Sequence, residues 1–314
     1  MLTLKLFDIL VLPVLTYGIE VWGPLLIANE NLSKVQNHTL KVMLEPTIIE
    51  KLNLHLCKYV LGVSRKATND AVRGEIGRLP IIILALKRCL SYAKRCYNLP
   101  YTYLVRKTLP TSINCLYPQW ITHVCSLHQL PDTDQDVSTS DYIPQILSKY
   151  SSAYIQGQCI ARYKLGWLDS INKKYNPAAN NKLSTYASFK KVFEAENYVL
   201  GISRPQRRYF TKLRISSHHL AIETGRYTRP VTPRERRLCN SCCLGEIGDE
   251  KHFLLRCPKF DRERASMFDE LSEFLIIQNS QDFKTFDTLM QCLAGDLEVG
   301  RVVCSYVEKC FSAV

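Results

Sequence analysis

Along this chain apolar side chains recur three and four residues apart with polar ones between them, a spacing that gives an α-helix one continuous apolar face. In SRKATNDAVRGEIGRLPIIILALKRCLSYAKRCYNLP, Thr68 or Asn69 can cap a helix, Gly77 can end it in the left-handed conformation, and Pro80 suits the first turn of the next. That next helix carries Ile82, Leu86, Leu90 and Ala93 on one face, and Lys87, Arg88, Lys94 and Arg95 over the rest. Similar patterns run from Asp141 to Trp167 and from Ser184 to Leu200, with NKKYNPAANN as a turn between them. The clearest amphipathic face is Phe260, Arg264, Met267, Phe268, Leu271, Phe274 and Leu275, and Val302, Val303, Tyr306, Val307, Cys310 and Phe311 repeat it at the end. No alternating run is long enough for a large sheet, so a mainly α fold is predicted.

The N-terminal run LFDILVLPVLTYGIEVW is interrupted by Asp8, Pro13 and Glu20 within fewer residues than a membrane crossing needs, about 20. It reads as a core-packed helix ending near Tyr17 and Gly18. Prolines and the polar run LPDTDQDVSTSDY mark a boundary after the first helical domain. The predicted division is therefore a helical domain over 1–130, an acidic and polar linker over 131–140, a helical connecting region over 141–202, and a C-terminal region over 203–314. Asp132, Asp134 and Asp136 imitate a calcium loop, but Val137 and Ile143 stand where glycine and glutamate are needed, so a solvated acidic loop is expected.

Charge and cysteine change the picture. With 314 residues, a net charge of +12 and a pI near 9.1, the chain has a polyanion as its natural partner, and nucleic acid and anionic membrane surfaces both qualify. The 13 cysteines are odd in number and several lie in helical patterns, which suits a reducing compartment, and an intracellular location in cytoplasm and nucleus is expected.

Chemistry concentrates in RRLCNSCCLGEIGDEKHFLLRCPKF, where Cys239, Cys242, His252 and Cys257 follow C-x2-C-x9-H-x4-C. Thiolates and imidazole are the donors zinc prefers, and four of them complete a tetrahedron with no corner left for water, so a structural Zn2+ is expected. Cys243 could replace Cys242 in a C-x3-C arrangement; Cys242 is the preferred reading. Pro258 suits a turn into the following helix, which the metal would dock against the segment before it.

That segment, SRPQRRYFTKLRISSHHLAIETGRYTRPVTPRERR, sets Arg204, Arg207, Arg208, Lys212, Arg214, Arg226, Arg229, Arg234, Arg236 and Arg237 against only Glu223 and Glu235 as anions. Tyr209, Phe210 and Tyr227 are interleaved, and arginine for phosphates beside rings for bases is the composition of a nucleic-acid groove. Ser203 can cap a helix here, with Phe210 and Leu213 inward and Arg207, Arg208 and Lys212 outward. The binding set expected is these ten cations with Tyr209, and the partner is RNA or DNA, not a membrane. His218 and His219 read as surface or hydrogen-bonded residues.

Three stretches together resemble the C-terminal part of the polyprotein of non-LTR, LINE-type retrotransposons. LFDILVLPVLTYGIEVWGP is similar to the start of the reverse transcriptase thumb, and CKYVLGVSRKATNDAVRGEIGRLPI to the segment after it. LRISSHHLAIETGRYTRPVTPRERRLCNSCCLGEIGDEKHFLLRCPKF is similar to the terminal CCHC zinc-binding region. The resemblance implies a thumb-like helical bundle, a helical connection and a small zinc-binding domain on C-terminal helices, downstream of a polymerase core. The paired aspartates of such a core do not occur here, so this chain by itself is expected to be a non-enzymatic fragment. A restriction-like endonuclease would need acidic and lysine residues after the zinc motif, and Asp282 with Lys284 is only an isolated partial match. A helical protein-interaction domain or inactive relic of such an element is the alternative.

Overall fold

A computed structural model describes residues 2–22, 46–108, 148–173, 182–274 and 286–313. The predicted linker over 131–140, its calcium-like aspartates, most of the NKKYNPAANN turn, and Asp282 with Lys284 lie outside them. The described residues are mainly helical and form no strand, only isolated bridges between Ile76 and Ala195 and between Leu238 and Ile247.

The chain divides into two units that are not contiguous in sequence. One comprises Lys5–Asn53 and Leu79–Gly166, the other Met1–Leu4, Leu54–Arg78 and Trp167–Val314. In the former, the helix Ile81–Tyr97 buries Ala85, Leu86, Cys89, Leu90, Ala93 and Cys96, while Lys87, Arg88 and Arg95 stay exposed as the periodicity predicts. Pro80 stands immediately before it as N-cap. The short helix Ile19–Trp22 packs on it through fully buried Ile19, whose carbonyl accepts the Cys89 thiol at 3.2 Å.

The N-terminal run does end at Thr16–Gly18, with Gly18 left-handed. It is not the core-packed helix expected, because Leu2, Leu6, Ile9, Leu10, Val11, Val14 and Tyr17 are exposed. Nor is it a regular α-helix. Pro13 has no N–H to donate, and the ladder passes through a π-turn, Phe7–Val11, just before it. No helix among the described residues is long and apolar enough to cross a membrane.

In the second unit the helix Leu297–Ser312 is the hub, packed against Arg204–Arg214, Asp261–Phe274, Phe286–Gly295 and Asn197–Gly201. Its N-cap Asp296 accepts backbone hydrogen bonds from Glu298 and Val299. Val303, Tyr306, Val307 and Cys310 of the predicted stripe are buried, as are Phe260, Arg264, Met267 and Leu271 of the preceding one. Gly77, left-handed at the end of Asn69–Ile76, lets the backbone at Ala195 come so close that a Cβ would lie 2.5 Å from its nitrogen. The amide of Glu196 then donates to the carbonyl of Glu75 at 3.0 Å. That junction sets up a buried charge network. Arg214 donates to both oxygens of Glu75 at 3.1 Å and to the carbonyl of Met290 at 2.7 Å, and also faces Glu196, which Lys190 pairs. Tyr198 donates its hydroxyl to Glu75 as well.

Candidate metal centre and basic surface

The ligand atoms of Cys239, Cys242, His252 and Cys257 all lie within 4.8 Å of one another. Cys239 and Cys257 are 4.0 Å apart at sulfur, and the Cys242 sulfur is 3.3 Å from His252 Nε2. Metal–sulfur bonds of about 2.3 Å and a metal–nitrogen bond of about 2.0 Å require tetrahedron edges of roughly 3.5 to 3.8 Å, which these separations bracket. Cys243 is exposed and is not a member of the cluster.

Local backbone chemistry assembles this geometry. Cys239 and Gly248 close a small hairpin, the Cys239 amide donating to the Glu246 carbonyl at 2.9 Å and the Gly248 amide to the Arg237 carbonyl at 2.9 Å. Within the loop, the amide of Ser241 points at the Cys239 sulfur from 3.4 Å. The amide of His252 donates to Asp249 Oδ1 at 2.9 Å, starting the π-turn His252–Arg256 that delivers Cys257. Pro258 then opens a turn, Pro258–Phe260, that runs directly into Asp261–Phe274. Arg264 from that helix donates to the carbonyls of Leu254 and Cys257 at 3.1 and 2.6 Å, and Tyr306 donates to Leu254 at 3.1 Å. Cys257 is thereby fastened to Asp261–Phe274, and the turn before it to Leu297–Ser312.

The two thiols of the cluster whose pKa values shift move in opposite directions. The Cys242 thiol is held below its ordinary value, first by a hydrogen bond from the Leu244 backbone and then by its cluster neighbours. Burial first, and then the neighbouring Cys239 and Cys242, push Cys257 up to about 12, since an apolar setting and adjacent negative charge both disfavour its thiolate. His252 Nδ1 lies 2.9 Å from Glu246 Oε2, which leaves Nε2 turned to the cluster. Glu246 therefore joins both halves of the site, through its carbonyl to Cys239 and its carboxylate to His252. Sequence reasoning missed this residue, although a carboxylate inside the spacer between the second and third donors was a visible signal. Of the two alternatives read for His218, surface or hydrogen-bonded, the structure has the second: it is buried, with Nε2 3.0 Å from Glu250. Burial alone would raise Glu250, but hydrogen bonding and charge from His218 outweigh it and hold the carboxyl at about 2.

The expected phosphate-contacting residues separate into two groups. Arg207, Arg214 and Arg237 are buried, a correction to the outward orientation expected for Arg207 and to a phosphate-facing role for all three. Arg207 donates to the carbonyls of Ile202 and Val60 at 3.1 and 3.0 Å, and Arg237 to those of Thr232 and Ile222 at 2.9 and 3.0 Å. Each guanidinium satisfies carbonyls that helix ends and turns leave free.

Arg204, Arg208, Arg229 and Arg236 are exposed, and Lys212, Arg226 and Arg234 are partly so. Arg226 pairs with Glu223 at 2.7 Å, Arg234 approaches Asp249 at 3.8 Å, and Arg208 approaches Glu308 at 3.8 Å. Tyr209 is half-buried, its ring stacked on Phe311 with centroids 5.8 Å apart, and Arg208 and Lys212 lie over the same ring at 4.5 and 5.2 Å. Ser203 occupies the N-cap position of Arg204–Arg214, but its hydroxyl donates to the Gln206 side chain at 2.7 Å and accepts no backbone N–H of the helix.

No family model, curated protein or solved structure matches this chain.

Proposed function

We propose that this chain is a nucleic-acid-binding C-terminal portion of a non-LTR retrotransposon reverse transcriptase, without the polymerase centre, and that a structural Zn2+ holds its C-terminal region together. Three lines support the reading: the sequence resemblance, a donor cluster of the kind zinc takes, and a surface where cations stand beside rings. The observation that carries nucleic-acid binding is the row Arg204, Arg208 and Lys212, spaced four apart along the outer side of one helix beside exposed or half-exposed tyrosines. Zinc would be bound by Cys239, Cys242, His252 and Cys257, and with four protein donors its work is cross-linking, not activating water.

Each phosphate contact releases condensed counterions, so affinity falls with salt by about 0.7 logarithmic units per contact for single strands. Changing Arg204, Arg208 and Lys212 together to Ala is expected to lower that slope by roughly two units and to weaken binding across sequences alike, measured by fluorescence anisotropy over a salt series. The second reading, a helical protein-interaction or relic domain, draws on the burial of Arg207, Arg214 and Arg237, which removes much of the apparent basic surface. A wild-type affinity insensitive to salt would favour it.

Zinc also tests the role of Glu246. Glu246→Gln keeps the side-chain shape but loses the charge behind the imidazole, and is expected to weaken zinc binding about 10- to 100-fold in chelator competition. Cobalt bound to the same variant should still show a tetrahedral, three-thiolate spectrum.

A further inference from the structure

Arg207 is buried and fixes the relation between two helices, Pro46–Leu61 and Arg204–Arg214. It caps the Val60 carbonyl at the end of the former from within the latter. Gly62, left-handed just beyond that end, makes the approach close: a Cβ there would lie 3.3 Å from Arg208 Cβ and 3.4 Å from Arg204 Nε. The result is that Tyr59, near the end of one helix, meets Arg204, in the first turn of the other. The Arg204 guanidinium carbon sits 4.3 Å from the Tyr59 ring centroid, and Tyr59 as a residue is still 57% exposed. Arg208 starts beside Gly62 but carries its guanidinium away from this pair, over the Tyr209 ring at 4.5 Å and 3.8 Å from Glu308.

We propose that Tyr59 and Arg204 form a stacking platform for an unpaired base of a single-stranded nucleic acid. A guanidinium over a tyrosine is a rigid planar layer that offers a π-face to any base, while its charge draws the backbone in. Tyr209, the stacking residue that the sequence suggests, is less suited to that work. Its ring already lies nearly parallel to Phe311, at 13°, and two cations of its own helix lie over it. Tyr59 has no aromatic partner among the ring contacts of the described residues, and it comes from a helix outside the arginine-rich segment. The platform is thus built by the fold from residues far apart in the chain. It rests on the nucleic-acid reading above and adds to it the preference for an unpaired base.

The test uses the full chain, a short single-stranded oligonucleotide carrying a fluorescent purine analogue, and a duplex hairpin. Tyr59→Ala is expected to weaken single-strand binding about 5- to 100-fold, to leave the salt slope unchanged, and to leave hairpin binding within twofold of wild type. Tyr59→Phe keeps the π-face and should bind as wild type does. Arg204→Lys keeps the charge but not the plane, and should lose most of the quenching of the analogue that stacking produces. Helical circular dichroism and zinc content equal to wild type show that each variant is folded. If Tyr59→Ala binds and quenches like wild type while the Arg204, Arg208 and Lys212 variant still lowers the salt slope, the platform is wrong and nucleic-acid binding stands. Wild-type protein that binds neither probe overturns both.

Discussion

Cys257→Ser is expected to lose the metal and to free the helix Asp261–Phe274 for proteolysis, the largest effect foreseen for any single substitution in this chain. In small zinc modules coordination is coupled to folding by on the order of 10 kcal/mol, and here the fourth donor stands four residues before that helix. The carbonyl of the same residue receives Arg264, so a shift at position 257 is passed directly into the helix. Metal content by mass spectrometry under native conditions, with limited proteolysis, reads the result. Equal zinc and equal resistance in wild type and Cys257→Ser would rule the site out. Cys243→Ser is the control, and because its thiol is exposed outside the cluster it should change neither quantity.

Arg214→Met is the second large effect, expected to cost about 3–5 kcal/mol in urea denaturation, because it strips the counter-charge from a buried carboxylate. Burial alone would raise Glu75, but the charges of Arg214 and Lys190, with hydrogen bonds from Arg214 and Tyr198, outweigh it and hold the carboxyl below its ordinary value. Burial likewise opposes the charge on Arg214, and Glu75 and Glu196 overcome it and raise its pKa. A lowered carboxylate stabilises the fold above its ordinary value of 4.5, and that contribution is lost as the pH falls from there through the folded value. Removing both charges, with Glu75→Gln added to Arg214→Met, should cost less than Arg214→Met alone. A phosphate-binding arginine would behave otherwise, leaving stability intact and changing only the salt slope of binding. Unchanged urea midpoints in Arg214→Met would refute the structural role.

The helix Arg204–Arg214 shows what sequence could and could not reveal. Arg207, Phe210, Thr211 and Arg214 stand at i, i+3, i+4 and i+7, so the periodicity already put two arginines on the apolar face, while Arg204, Arg208 and Lys212 run along the other. Composition obscured that signal, since an arginine-rich stretch reads as surface unless interior carbonyls and carboxylates are there to receive it. Those acceptors, Val60, Glu75 and Met290, come from distant parts of the chain and have no local signature. The long faces of Ile81–Tyr97 and Leu297–Ser312 were legible because each carries its own pattern over four turns or more. The N-terminal run has a pattern too, but hydrophobicity alone does not say that a partner surface is present to cover it. The metal cluster was legible from spacing. Glu246, which orients one of its donors, required the fold of the spacer.

The donor cluster and the buried ion pair of this unit differ in how far they reach along the chain. The metal donors span 18 residues from Cys239 to Cys257, whereas Arg214 and Glu75 are 139 apart. Closing the longer loop costs about 2 kcal/mol more chain entropy, and it must also wait for the helices between to form. Capture of a metal by these donors would consequently be a local event, available to a chain still being made as soon as Cys257 has emerged. Loading the ion early would give Asp261–Phe274 a fixed origin before its packing partner Leu297–Ser312 exists. A bound ion would thus make the hairpin at Cys239 an anchor for the helices that follow it.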